Sequence, residues 1–397
     1  MSILFAPINL GDVQIRNRFI HSATYECMAL ETGQVTDNLI KRYKNLAKGE
    51  VGLIVPGYMY VHPLGRSYRY QTGIHSDDMI PGLRKLVEAI HQEGGKIAFQ
   101  LAHAGRQTTK AMIGQSPIGP SSKGRDPMNF VKPKEMNAND IQEVIEAFGI
   151  AAERAVRIGA DGIQLHAAHG YLINQFLSPF FNHRKDQWGG SDANRFRFLR
   201  DLISEVRSKL PKGMPLLVKL NTHDYTPKEG ITPSLAVTYA KWLSDLEISG
   251  LEISCGTAAY SFMNMFRGEV PVKELVSGLP FWKKPLAKLA LKGMVGKYAL
   301  QGGYNLEAAR MIKPVLGRTP LFVVGGLRKL AQMKETLENQ YADCISMSRP
   351  FIKEPFIVKK IKEGETEAAA CASCNRCLAA VGNNMPVHCY NKGFPVS

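Results

Sequence analysis

The 397-residue chain has no stretch of about 18 consecutive apolar residues, so no membrane-spanning helix is expected. Its opening residues, Met1 to Pro7, carry neither a basic head nor a long apolar run. No signal peptide is therefore expected, and the cytoplasm is the expected compartment. There is no low-complexity linker and no solenoid repeat. No Gly-rich fingerprint follows the first strand-like run, which argues against a doubly wound dinucleotide fold. Acidic residues are the scarcer charge, 35 against 50 Lys and Arg, leaving a formal +15. Such an excess favours anionic partners: phosphate cofactors, nucleic acid, anionic lipid or an acidic protein. No nucleic-acid module is visible, and the aromatics are not interleaved with the densest basic stretch.

That stretch runs from Lys283 to Lys292, with Lys297 just beyond. It reads as an amphipathic basic helix, expected to lie as a solvated helix over the core. It is also a candidate docking face for an acidic electron-carrier protein.

Cysteine is abundant in one place only. Four of the seven cysteines, Cys371, Cys374, Cys377 and Cys389, fall near the C-terminus with spacing C-x2-C-x2-C-x11-C. Three thiolates within one short run, with a fourth folding back, follow the spacing logic of an iron–sulfur cluster; a four-thiolate zinc site is the main rival. Disulfides rank below both, because they are rare in the cytosol. Cys27, Cys255 and Cys344 are scattered and expected to be unpaired.

Strand-like apolar runs alternate with amphipathic helices along the chain. The runs are Phe19–Ser22, Gly52–Pro56, Lys96–Leu101, Gly162–His166, Leu216–Leu220, Gly250–Ser254, Leu321–Val324 and Asp343–Met347. Several are apolar almost throughout, as strands buried on both faces are. The clearest helix places Ile141, Val144, Ile145, Phe148, Ala152, Ala155 and Val156 on one face, with Asn139 and Gln142 at capping-box spacing. Eight strand–helix units predict an α/β fold, a (β/α)8 TIM barrel. Two additions are expected: an insertion of about 60 residues between the sixth and seventh strands, and the cysteine-bearing tail.

In such a barrel the chemistry sits at the C-terminal ends of the strands. Gly325-Gly326 after strand seven and Ser348-Arg349 after strand eight offer backbone N–H groups and a guanidinium to a phosphate. After strand four, His166-Ala167-Ala168-His169-Gly170-Tyr171 puts two imidazoles toward one small ligand and a phenol beside them as proton donor. No carboxylate or third His stands at metal-binding spacing.

The run His166 to Arg195, HAAHGYLINQFLSPFFNHRKDQWGGSDANR, resembles the signature of the Old Yellow Enzyme family of flavin oxidoreductases. More narrowly it resembles the branch with 2,4-dienoyl-CoA reductase and trimethylamine dehydrogenase. Asn17-Arg18-Phe19, Pro81-Gly82-Leu83-Arg84, Gln100 to Arg106, Gly325-Gly326 and Ser348-Arg349-Pro350-Phe351 match in order across nearly the whole chain. The resemblance implies FMN. It implies Gln100 on the flavin pyrimidine edge, Ala23, Thr24 and Gly57 beside the ring, and Lys219 near N1. Gly325, Gly326, Ser348 and Arg349 would hold the phosphate. It implies His166 and His169 gripping an activated carbonyl and Tyr171 protonating the product, with His223 a further donor candidate. Tyr25 stands where trimethylamine dehydrogenase has its flavin-linking Cys, so covalent FMN is not expected. The tail spacing resembles that dehydrogenase more than the C-x2-C-x3-C of the dienoyl reductases. Both larger relatives continue into a nucleotide-binding portion, which is not expected in a chain that stops at Ser397.

The expected organisation is an FMN-binding barrel over residues 1–360 and a four-cysteine tail over residues 361–397 packed on it. The expected activity is an ene-reductase or dehydrogenase with a [4Fe–4S] electron relay, acting on a small molecule. Two alternatives stand beside it: a flavin reductase fed by NAD(P)H with a structural or zinc-bound tail, and a non-catalytic barrel whose basic helix binds a partner. A homo-oligomer is compatible with all three.

Overall fold

The computed structural model describes residues 2–395; Met1 and the last two residues of the expected tail lie outside them. The strands of the barrel are β1 (Phe19–His21), β2 (Leu53–Ile54), β3 (Ala98–Ala102), β4 (Gly162–Ala167), β5 (Leu216–Asn221), β6 (Gly250–Ser254), β7 (Leu321–Val324) and β8 (Cys344–Met347). A further short run, Met59–Tyr60, pairs with β3. Together they make one nine-stranded sheet, and all its pairings are parallel. The sheet closes where Ile54 bridges Ile97. Every strand predicted from apolar runs is present, because each is buried on both faces.

Seven helices return the chain between strands and an eighth follows β8: α1 (Asp37–Lys48), α2 (Ile80–His91), α3 (Ala138–Ile158), α4 (Asp192–Lys209), α5 (Pro233–Asp245), α6 (Leu306–Ile312), α7 (Leu330–Glu338) and α8 (Ile357–Lys362). In α3 the predicted apolar face is buried, apart from the half-covered Val156. Its cap is not the expected Asn139–Gln142 pair. Asn137 and Asp140 exchange side-chain-to-backbone bonds of 2.9 Å, so the box forms two residues earlier. Asp at the third helical position reaches back as Glu or Gln would.

A hairpin, Ile8–Leu10 with Val13–Ile15, plugs the N-terminal end of the barrel. Its Leu10 and Ile15 pack with Ile20, Leu53, Leu217 and Phe322. The other end is left for the cleft. There the insertion between β6 and β7 carries three short helices, Phe262–Met265, Val272–Leu275 and Lys284–Lys292. The last is solvated, as expected of a surface helix: none of its residues is buried, and Leu286 and Leu289 are 73% and 70% exposed. Its leucines fall on both sides of a two-and-a-half-turn helix, so one side alone can face the protein.

Candidate active site

Beneath the cleft floor runs a chain of buried polar groups across five strands. The Gln100 amide donates to Gln164 Oε1 at 2.6 Å, and the Gln164 amide donates to Glu252 Oε2 at 3.0 Å. The other oxygen of Glu252 lies 3.5 Å from Lys219 Nζ, which donates to Ser22 Oγ at 2.7 Å. Lys219 and Glu252 are almost wholly out of solvent, with side chains 3% and 0% exposed. Ser22 and Glu252 hold the Lys219 side chain in place at the strand end. Gln100, Lys219 and Ser22 all open onto the cleft, which encloses about 1180 Å³, part of it open to solvent.

Beside this cation stand the two imidazoles. His169 adopts a left-handed backbone (φ 64°), secured where Asn221 Oδ1 accepts its N–H at 3.1 Å. That turn brings His169 Nε2 within 2.7 Å of Ser254 Oγ and sets its ring edge-on to His166, 5.1 Å between centroids. Burial pushes both pKa values well below the ordinary 6.5, and the nearby Lys219 ammonium pushes them further. Both rings are therefore neutral at pH 7. Tyr171 follows at the start of the next helical turn. Its hydroxyl meets that of Tyr58 at 2.7 Å, and its ring lies 4.9 Å from that of His166. Burial, followed by neighbouring Tyr68, raises the Tyr171 pKa well above 10, so the phenol keeps its proton. His166 Nδ1 has no hydrogen-bond partner among the described residues.

The opposite end of the cleft is cationic and involves the tail. Gly326 turns with φ +76°, and a Cβ there would meet the Gln301 carbonyl at 2.6 Å, so only glycine fits the turn. Ser348 Oγ lies 2.6 Å from Thr24 Oγ1. Arg349 donates to Asn375 Oδ1 and to the Arg267 carbonyl, the latter at 2.9 Å. Arg328 lines the same end and donates to Ser373 Oγ at 3.2 Å. The Asn375 amide in turn donates to the carbonyls of Phe266 and Glu269, at 2.6 and 2.9 Å. One side chain thus ties β8, the insertion and the tail together. The tail helix Arg376–Gly382 then lays Leu378, Val381 and Gly382 along the cleft wall.

Of the residues singled out in the sequence, Ala23, Thr24, Gln100, His166, His169, Tyr171, Lys219, Gly326, Ser348 and Arg349 all line the cleft. Gly57 and Gly325 are not on its wall. The Gly57 N–H is spent on Glu26 Oε1 at 2.7 Å, and the Gly325 carbonyl accepts from the Tyr304 N–H at 3.0 Å. His223 is also off the wall; its Nδ1 accepts from the Tyr225 N–H at 2.8 Å. Tyr25 faces the cleft while the Cys27 thiol lines a separate pocket. Sequence reasoning passed over Gln164, Glu252, Tyr68, Arg328 and Asn375, and gave Tyr58, at the end of the second strand, no role. For the first two a signal existed: a polar residue flanked by apolar ones in a strand buried on both faces.

FMN fits this cleft. It offers the Gln100 amide and a fixed ammonium toward one end, and the Arg349 and Arg328 guanidinium groups beside a glycine turn at the other. Arg328 Nε and Ser346 Oγ, on residues of the wall, are buried without hydrogen-bond partners among the described residues. The tail cysteines fit a cluster less well. Burial raises the Cys377 thiol to about 11, and the neighbouring Cys371 and Cys374 add to the shift. Cys389 is exposed, and among the described residues no three His, Cys, Asp or Glu side chains stand as a metal-binding group. The four thiols are not a formed ligand set.

Residues 3–263 match the NADH:flavin oxidoreductase / NADH oxidase family. An NADPH dehydrogenase of Bacillus subtilis is 33% identical over 92% of this chain and 96% of its own length. A 4,4'-dithiodibutanoate disulfide reductase of Rhodococcus erythropolis is 30% identical over 95% of this chain and 93% of its own. Among solved structures, a 2-naphthoyl-CoA reductase complex superposes with a TM-score of 0.84 at 26% identity. That match covers 98% of this chain, which spans 56% of the reductase's length.

Proposed function

The chain belongs to the NADH:flavin oxidoreductase / NADH oxidase family, and from that premise we propose that it reduces the activated double bond of a small α,β-unsaturated carbonyl compound, with NAD(P)H as electron source. The observation that carries this reading is the neutral His166–His169 pair beside a protonated Tyr171, all facing one cleft with Lys219. Bound FMN would supply hydride exchange at its N5 position. His166 and His169, uncharged, donate hydrogen bonds to the substrate oxygen and draw electron density toward it. Tyr171 releases its phenolic proton to the carbon next to the carbonyl, and Tyr58 can pass a proton back across the 2.7 Å contact. Lys219, held by Ser22 and Glu252, keeps positive charge where negative charge gathers. Gln100 offers an amide edge to the isoalloxazine, and Gly326, Ser348, Arg349 and Arg328 hold the phosphate. Ala23 and Thr24 flank the ring, with Gly57 and Gly325 supporting the turns behind them.

Anaerobic stopped-flow mixing tests the proposal. NADPH or NADH should bleach the flavin absorbance, and 2-cyclohexen-1-one should restore it. A bleached flavin that no enone reoxidises would overturn the choice of substrate class.

The spacing of Cys371, Cys374, Cys377 and Cys389 supports a further part of the proposal, a [4Fe–4S] centre assembled when the tail gathers Cys389 to the other three. No catalytic step is assigned to it. Anaerobically purified protein should hold about four iron atoms per chain. Stoichiometric zinc, or four titratable free thiols, would remove the centre and leave the flavin reading standing.

A further inference from the structure

The segment between β6 and β7 turns its large apolar side chains to water. Phe281 is 84% exposed, Trp282 65%, Leu286 73%, Leu289 70% and Val295 56%. Ala287 and Leu291 are half-covered on the other side of the same helix. Lys283, Lys284, Lys288, Lys292 and Lys297 are interleaved with them, and no Asp or Glu occurs between Glu274 and Glu307. The loop between β3 and α3 extends the patch. Lys283 Nζ lies 5.6 Å from the Phe130 ring centre and 4.9 Å from that of Trp282. Phe130 and Met128 are themselves 62% and 49% exposed. The loop brings Lys123, Arg125 and Lys132; of its two carboxylates, Asp126 is buried and bonded to Gln107, and the exposed Glu135 lies 3.6 Å from Arg184. The result is a surface of aromatic and aliphatic tips set among cations, with no carboxylate from residue 275 to 306 and no exposed one from residue 123 to 132.

We propose that this patch adsorbs to an anionic lipid bilayer, as a surface anchor and not a span. Contiguous exposed apolar area of this kind marks an interaction site. Trp and Phe prefer the headgroup depth, and lysine stems lie along the apolar surface while the ammonium groups reach lipid phosphates. Apolar insertion and charge attraction reinforce each other at such a surface. A second copy of the chain suits the patch poorly, because two-fold pairing sets the same lysines against one another. An acidic protein satisfies the lysines but gives no reason for two adjacent aromatics and two leucines at the outermost positions. The feet of this segment, Met265, Phe266 and Tyr304, line the cleft. Adsorption therefore brings the cleft rim to the lipid surface, where apolar substrates partition. The anchor rests on exposure and charge and stands independently of the reaction proposed above.

The test is sedimentation of the full holoprotein with vesicles of phosphatidylcholine, with and without about 30% phosphatidylglycerol. The protein should bind the anionic vesicles at least tenfold more tightly, with a blue shift of tryptophan emission. Raising the salt to about 0.5 M should release it. Leu286→Asp with Leu289→Asp should cost at least tenfold in vesicle affinity and leave turnover on a soluble acceptor unchanged, which also reports an intact fold. Equal binding to neutral and anionic vesicles, or undiminished binding by the double variant, would overturn the proposal. So would capture of the patch in a dimer, or binding to an acidic protein but to no vesicle.

Discussion

At the His166–Tyr171 end of the cleft the polar side chains are held from within the barrel; at the Arg349 end they are held by the tail. His169 is fixed by Asn221 and Ser254, and Lys219 by Ser22 and Glu252, all on barrel strands or the turns that leave them. Arg349 and Arg328 instead find Asn375 and Ser373, on a segment that follows the last barrel helix. The first end is preorganised as soon as the barrel closes. The second is complete only when the tail has docked, so ligand affinity there is coupled to the tail's position. Gly268 shows how closely the two pieces meet: a Cβ on it would lie 2.0 Å from the Ser373 carbonyl.

The largest separation between the ends is expected from Tyr171→Phe. Removing the general acid should slow enone reduction by about two to four orders of magnitude, with flavin content unchanged. Turnover of the purified variant checks this, and a loss of less than tenfold would move the proton source elsewhere. Next in size is Lys219→Met. It strands Glu252 without its cation in the barrel interior, and should cost about 3–5 kcal/mol of stability by denaturant unfolding. Adding Glu252→Gln should return much of that loss, whereas a barrel indifferent to the single change would show that the pair is not structural.

At the other end, Asn375→Ala removes the acceptor of Arg349 and two bonds to the insertion. A cost of about 1–3 kcal/mol is expected, read as roughly tenfold or greater weakening of FMN binding. Hydride transfer in flavin-saturated protein should change little, and an equal fall in both would merge the two ends into one unit. The smallest effect expected is none at all. His166 and His169 are pushed well below 6.5 by burial and Lys219, so both stay neutral as pH falls through the usual histidine range. The rate of enone reduction should show no inflection between about pH 5.5 and 7.5. Tyr171, pushed upward, adds no alkaline limb in that window either. An inflection near 6.5 would mean that one imidazole is solvated and titrates normally.

The same contrast explains what could be read from the sequence. The eight strands were legible because apolar runs and burial on both faces are local properties. The motifs at their ends were legible because His166, His169 and Tyr171 sit within six residues of one another, and Ser348 adjoins Arg349. The helix cap was misplaced by two residues because Asn137 and Asn139 offer equivalent caps, and only the geometry chooses between them. Gln164 and Glu252 were passed over although their strands announce them, each being a polar residue in an apolar run. Asn375 and Arg328 could not be found by spacing. Asn375 lies 26 residues from Arg349 and 109 from Phe266, and nothing local says that the tail returns to the cleft. The basic helix was legible as a solvated helix, but what its apolar side meets was not. Amphipathic periodicity identifies an apolar side, but not whether the core or something outside the protein covers it.

The central claim is that one cleft, walled by both barrel and tail, holds FMN without a covalent bond. Its most direct test is titration of flavin-stripped protein with FMN, followed by flavin fluorescence, and then acid precipitation of the complex. One FMN per chain is expected, fully released by acid, with affinity at least tenfold weaker in Arg349→Ala. Failure to take up stoichiometric FMN, or flavin that stays with the acid pellet, would contradict the account.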